Sequence, residues 1–333
     1  MKQTLVFASR PRIAAHASLA GPKEGQGPLG ARFDELLEDD LLGQPSWELA
    51  EAEMVRRVCG LCLRRAGVER EGLEAHLGGD LLNQLMASGI AARDLGAPFL
   101  GLYGACSTMA EGMLLAAALV DGGYRANALA CASSHFCTAE RQFRFPLELG
   151  TQKPPSAQRT ATAAGAVLLR REGGSIAVEA GTIGRIVDFA ITDANHMGAA
   201  MAPAVADTIE THFADMQRTH AEYDLIVTGD LGKIGREILL ELFRERGIDM
   251  PEEKLMDCGA SMFAPEQDCH SGASGCGCIA SVLTGHILRK MEEGELRRVL
   301  AVGSGAMTST TSAQQGLSIP SVAHAVALAA EGK

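Results

Sequence analysis

Gly101-Leu102-Tyr103-Gly104-Ala105-Cys106-Ser107-Thr108-Met109 is the stretch from which the rest of this chain is read. An apolar strand from Phe99 to Leu102 runs into a tight Gly-Ala turn, a cysteine sits on the turn, and a helix of small residues follows. The arrangement returns 170 residues later, where Gly272-Ala273-Ser274-Gly275-Cys276-Gly277-Cys278 opens a second helix. Two further echoes keep the order: Gly79-Asp80-Leu81 with Gly229-Asp230-Leu231, and Leu129-Ala130 with Leu300-Ala301. Each half therefore reads strand, Gly-Asp-Leu turn, helix, buried turn, helix, strand. So long a spacing marks two copies of a domain, because solenoid repeats have periods of roughly 20–50 residues.

Alternation of strands and helices at this spacing predicts a layered α/β fold with mixed sheets. A helix-start cysteine in both halves suggests the thiolase type of architecture, two duplicated α/β halves in an αβαβα stack whose matching turns meet near a pseudo-twofold axis. The halves are expected at residues 1–190 and 191–333. Residues 133–160, crowded with Ser, His, Arg, Pro and Gly, are too long for an ordinary connection and read as a functional insertion. A helix is predicted after Pro45-Ser46-Trp47, with Ser46 as its N-cap and Gly67 as its stop. Thr162 to Arg170 and Ile176 to Ile186 look like paired strands.

Composition narrows the function. The 333 residues are 47% hydrophobic and 21% charged, enough for a sizeable core. Net charge is −11 and no long Lys/Arg run occurs, so the electrostatic footprint of a nucleic-acid binder is missing. The first residues lack the apolar core of a signal peptide, and no run reaches the roughly 18 apolar residues of a membrane span. The nine cysteines read as reduced thiols.

Several side chains carry chemistry. Cys106 at a helix start would be favoured as a thiolate by the helix dipole, or would merely fill a tight turn. Asp230 reads as a cap of the helix that follows it, whereas Asp80, in Gly-Gly-Asp-Leu-Leu-Asn-Gln, reads equally as a cap or a pocket group. His135, at the end of a buried strand, is either an acid, base or ligand donor or a satisfied structural histidine. Cys59-Gly60-Leu61-Cys62 has redox spacing but lies inside an amphipathic helix, which favours packing. Cys276-Gly277-Cys278 lacks a second pair spaced for zinc. Arg141, Arg144 and Lys153, beside Phe143 and Phe145, form either a solvated basic loop or a set that grips a planar dicarboxylate.

Further stretches narrow the comparison. They are Ala20-Gly21-Pro22-Lys23-Glu24, Gly79-Asp80-Leu81-Leu82-Asn83-Gln84, Gly104-Ala105-Cys106-Ser107-Thr108 and Ser133-Ser134-His135. Thr138-Ala139-Glu140-Arg141-Gln142-Phe143-Arg144, Gly150-Thr151-Gln152-Lys153-Pro154 and Met197-Gly198-Ala199-Ala200-Met201-Ala202-Pro203 complete the set. Over nearly its full length the chain resembles the stage V sporulation protein AD (SpoVAD) family. That resemblance implies a thiolase-like fold with a non-enzymatic role: binding dipicolinic acid, pyridine-2,6-dicarboxylate, during its uptake into the forespore and its release on germination. It implies no cofactor, with calcium entering only as part of the ligand. The partners it implies are integral membrane SpoVA proteins at the inner spore membrane, with the chain peripheral to that membrane. It assigns Asp80, Cys106 and, more weakly, Cys258 to the ligand pocket; His135, Arg141 and Arg144 complete the expected set. Thiolase folds commonly form a homodimer through the strand after the nucleophile helix, here Ala126 to Ala132, whereas the family resemblance leaves the oligomeric state open.

The alternative is an acyltransferase of the ketoacyl synthase III or thiolase type with Cys106 as nucleophile. Such enzymes pair the cysteine with a His and a second His or an Asn from the C-terminal half. Thr228-Gly229-Asp230-Leu231 and Gly272-Ala273 stand at those turns, with His270 nearby as a candidate substitute. An acid beside Cys106 would disfavour the thiolate, so no condensing activity is expected.

Overall fold

A computed structural model describes residues 2–143 and 153–331. Ten strands carry the fold. The first five are β1 (Arg12–Ala20), β2 (His76–Gly79), β3 (Phe99–Gly101), β4 (Asn127–Ser134) and β5 (Ala163–Arg170). The second five are β6 (Ile176–Thr182), β7 (Leu225–Thr228), β8 (Leu255–Asp257), β9 (Arg298–Ala306) and β10 (Ser321–Ala330). They lie in the order β8-β7-β9-β10-β6-β1-β5-β4-β2-β3. Read outward from the centre, each five repeat one topology. Strands β2, β3 and β4 are parallel and β5 turns antiparallel, as β7, β8 and β9 are parallel and β10 antiparallel. The two sets join where Arg12 and Ile13 of β1 meet Ala177 and Ile176 of β6. The duplicated, layered α/β expectation is met.

The helices complete five layers. On the outer side of the first half lie α1 (Trp47–Ala66) and α2 (Met86–Leu95); α3 (Thr108–Asp121) and the helix from Cys276 to Glu292 fill the middle. A short helix, α4 (Phe136–Phe143), follows β4, and α5 (Met197–Met216) and α6 (Gly232–Glu245) cover the second half. The second middle helix opens with an apolar stretch in which every residue from Cys276 to Val282 is buried. A helix of that kind is stable only when it is covered all round. Ser46 caps α1 by accepting from the Leu49 N–H at 3.4 Å, and Gly67 ends it at φ 61°, as the sequence predicts.

Two expectations fail here. Residues 163–170 and 176–182 are not paired. They flank β1, which pairs with β5 along its length and with β6 only at Arg12 and Ile13. A connection that reads as a hairpin instead straddles the end of a longer strand. Nor can Ala126 to Ala132 form a dimer edge, because β4 is hydrogen-bonded on one side to β2 and on the other to β5. In that half the outermost strand is β3.

The fold fixes the Cys106 turn by close backbone approach. A Cβ on Gly305 of β9 would lie 2.1 Å from the Gly104 carbonyl oxygen, and one on Gly303 would lie 3.1 Å from Ser107 Cα. Any side chain at these two positions would push the turn off the second half.

Candidate functional site

The cysteine turn is strained and tied down. Ala105 has φ 48°, in the left-handed region that a Cβ disfavours. Ser107 Oγ donates to the Gly104 carbonyl at 2.7 Å, and Thr108 Oγ1 donates to the Ala105 carbonyl at 2.7 Å. The result places Cys106, 8% exposed, in the wall of a cleft. Leu81, Tyr103, Phe143, Met197 and Met201 give the cleft apolar walls, and Thr160, Ser274 and Thr308 bring hydroxyl groups. Glu140 adds a carboxylate, paired with Lys153 at 2.8 Å. The cavity of about 80 Å³ compares with the roughly 10–15 Å³ that one water needs. It suits a small molecule better than a long chain.

Behind Cys106 stands Asp230. Its carboxylate accepts from the Gly275 N–H at 2.8 Å, Ser274 Oγ at 3.1 Å and Ser304 Oγ at 3.2 Å, and its charge acts on the Cys106 thiol. Burial lifts this carboxyl to about 7. Burial, the Asp230 charge and the neighbouring Cys276 push the Cys106 thiol well above its ordinary value. The thiolate expected from the helix dipole is therefore not favoured: desolvation and an adjacent acid outweigh a short turn of N–H groups.

Asp230 also departs from its expected role as a cap. The start of α6 is held by Asp257, which accepts from the N–H groups of Leu231 and Gly232 at 2.9 Å each. Asp80 behaves as Asp230 was expected to. Its two oxygens accept from the backbone N–H groups of Leu82 at 2.8 Å and Ser88 at 2.7 Å, tying the turn to the first turn of α2. Its neighbour Leu81 is the residue that lines the cleft.

The other predicted residues lie apart from Cys106. His135 is fully buried, with Nδ1 accepting from the Cys137 N–H at 3.2 Å and Nε2 facing the Asp40 carbonyl at 2.8 Å, so both ring nitrogens have partners. Burial lowers its pKa, which keeps the ring neutral. Cys258 is buried beneath the second-half turn, next to Asp257 and Asp230. Arg141 projects from the outer face of α4 to pair with Glu48, its guanidinium 5.4 Å from the Trp47 ring. Arg144 lies outside the described residues. His270 lines a separate surface cavity with Lys233 and Phe263, away from Cys106. Cys59 and Cys62 are buried in the core, as the helical setting of their motif suggested. Among the described residues no group of His, Cys, Asp and Glu is placed to hold a metal.

Thr160, Ser274, Met197, Met201 and Thr308 were not singled out from the sequence as site residues. Met197 and Met201 carried a signal: an i, i+4 pair shares one helix face. Thr160 and Ser274 reach the cleft on a two-residue strand pair, and Thr308 on a loop, whose placement the sequence does not specify.

Comparison with known proteins agrees with this geometry. The sequence matches the profile of the stage V sporulation protein AD family over residues 1–329. It is 44% identical over 325 residues to stage V sporulation protein AD of Bacillus subtilis, covering 98% of this chain and 96% of that one. The fold is similar to that of 3-oxoacyl-[acyl-carrier-protein] synthase III from Aquifex aeolicus, with a TM-score of 0.58 and 13% identity, covering 96% of this chain and 99% of that one. The Pseudomonas aeruginosa synthase III gives a TM-score of 0.55 with 16% identity, covering 97% and 99%.

Proposed function

The chain belongs to the stage V sporulation protein AD family, a family of sporulation proteins, and from that premise we propose that it binds dipicolinic acid in the Cys106 cleft without acting on it chemically. The observation that carries the reading is the state of Cys106. Burial, with the Asp230 charge beside it, keeps its thiol protonated. Among the described residues lining the cleft there is no histidine to take its proton. A condensing enzyme needs a thiolate, a base and an oxyanion partner at this point. Here the second half supplies a buried acid and a serine.

The same walls suit a small planar acid. Tyr103, Phe143, Met197 and Met201 offer apolar faces to a pyridine ring. The hydroxyls of Thr160, Ser274 and Thr308 can donate to carboxylates. Asp80 supports the site from behind by fixing the loop that carries Leu81. Calcium enters with the ligand, and Glu140 is the wall carboxylate nearest in chemistry to an oxygen donor for it. No helix among the described residues is long and apolar enough to cross a membrane. This fits a protein that meets the inner spore membrane through integral SpoVA partners during uptake and germination.

Calorimetric titration of dipicolinic acid, with and without calcium, into wild type and Cys106→Ala tests the proposal. Saturable one-site binding that weakens in the variant supports it; no heat in either condition rejects it. The acyltransferase alternative makes an opposite demand. Incubation with short acyl-CoA thioesters would add an acyl mass to Cys106 in wild type, and this account predicts no adduct.

A further inference from the structure

Between the cleft wall and the cleft floor runs a short strap, residues 157–161. Arg159 and Thr160 pair in parallel with Ala273 and Ser274. The zip is closed by the Arg159 N–H donating to the Gly272 carbonyl at 2.9 Å, the Ala161 N–H to Ser274 at 2.8 Å, and the Ser271 N–H to Ala157 at 3.0 Å. On its other side the Arg159 guanidinium lies 3.6 Å over the ring of Phe136, the first residue of α4. That helix carries Ala139, Glu140 and Phe143 into the cleft.

Gln158 sits in the middle of this strap and is 3% exposed. Its amide nitrogen donates twice, to the Asp230 carbonyl at 2.7 Å and to the Ala273 carbonyl at 2.6 Å. The two acceptors come from different turns of the second half. One belongs to the residue whose charge acts on the Cys106 thiol; the other immediately precedes Ser274 in the cleft lining. The Gln158 carbonyl oxygen is buried and has no partner in the structure. An orphaned interior acceptor is unfavourable. A glutamine that filled space alone would be better replaced by an apolar residue of the same shape. Its two donor bonds are what the position uses.

We propose that Gln158 is a positioning residue of the Cys106 cleft, pinning the Asp230 and Ala273 turns in the register that sets Asp230 against Cys106 and Ser274 in the wall. Asp230 and Ser274 are thereby coupled to the segment that leads out of the 133–160 insertion. Loss of the amide frees both turns together while leaving the first-half core, with Cys59, Cys62 and Cys131, untouched.

The test is site-resolved alkylation. Wild type, Gln158→Leu and Gln158→Asn are treated with N-ethylmaleimide below their melting temperatures, and each cysteine is followed by peptide mass spectrometry. In Gln158→Leu, Cys106 is expected to react about tenfold faster, the equivalent of one lost interior hydrogen bond, with Cys59, Cys62 and Cys131 unchanged. Gln158→Asn, one methylene too short to reach both carbonyls, should fall between the two and decides the matter if the leucine variant does not fold. Unchanged Cys106 reactivity in a folded variant overturns the proposal. So does an equal acceleration of all cysteines, which would mean general loosening. A second readout rests on the ligand reading above: dipicolinic acid affinity should fall about tenfold at unchanged stoichiometry. If wild type binds no dipicolinic acid, that reading fails while the alkylation ratio still judges Gln158.

Discussion

The two halves share strand order, a Gly-Asp-Leu turn and a cysteine at a helix start, yet they treat these parts differently. In the first half Asp80 spends both oxygens on its own backbone, at Leu82 and Ser88, and Cys106 faces a cleft. In the second half Asp230 is held by Ser274, Gly275 and Ser304 with its charge acting on the Cys106 thiol, and Cys276 tucks inward, its thiol donating to the Ser133 carbonyl at 2.8 Å. Duplication brings the matching turns together at the centre. The asymmetry between them makes one side a pocket and the other its support. One copy lends its aspartate to the other's cysteine, and the reactivity expected of a helix-start thiol is lost.

That asymmetry can be broken by experiment. Its largest consequence is on pH dependence. Burial raises Asp230 to about 7, Glu24 to about 7 and Glu51 to about 8, against roughly 4 for unfolded carboxyls. The folded chain therefore holds extra protons between those values. The stability they confer is complete below about pH 4 and is lost as pH climbs through 7 to 8. Urea unfolding should show wild type weakening from pH 5 to pH 8 by on the order of several kcal/mol. Asp230→Asn should flatten part of that slope and be at least as stable as wild type at pH 8. An unchanged slope would show that Asp230 is not the buried acid described.

Next in size is Asp80→Ala. It leaves two buried N–H groups without acceptors and should cost about 2–3 kcal/mol at pH 7 by the same measurement. If Asp80→Asn and Asp230→Asn behave alike across pH, the two aspartates are equivalent and the comparison collapses.

The sequence displayed the duplication, the cysteine turn and the Ser46–Gly67 bounds of α1, because each rests on local rules: glycine spacing, capping and apolar periodicity. It could not show which aspartate serves which turn. Gly79-Asp80-Leu81 and Gly229-Asp230-Leu231 are the same tripeptide, and their roles diverge through their partners: the nearby Ser88 for one, and Gly275 and Ser304, far along the chain, for the other. The hairpin expected at residues 162–186 failed for a similar reason, since β1, the strand that separates its arms, lies some 150 residues earlier. His135 was legible as a buried strand-end histidine, but its two hydrogen-bond partners were not.

The smallest expected effects separate the cysteines. Cys276→Ala removes a buried thiol and its hydrogen bond and should cost about 1–2 kcal/mol in stability with little change in ligand affinity. Cys106→Ala, in the same core but at the cleft wall, should cost about as much in stability while also weakening dipicolinic acid. Equal ligand affinities in the two variants would leave the cleft without its distinguishing residue.

The most direct test of the account is a crystal structure of the protein with dipicolinic acid and calcium. The account predicts ligand density against Cys106 between Tyr103, Phe143 and Met197, with carboxylates facing Ser274 and Thr160 and no bond to sulfur. Density at another site, or a covalent adduct on Cys106, would contradict it.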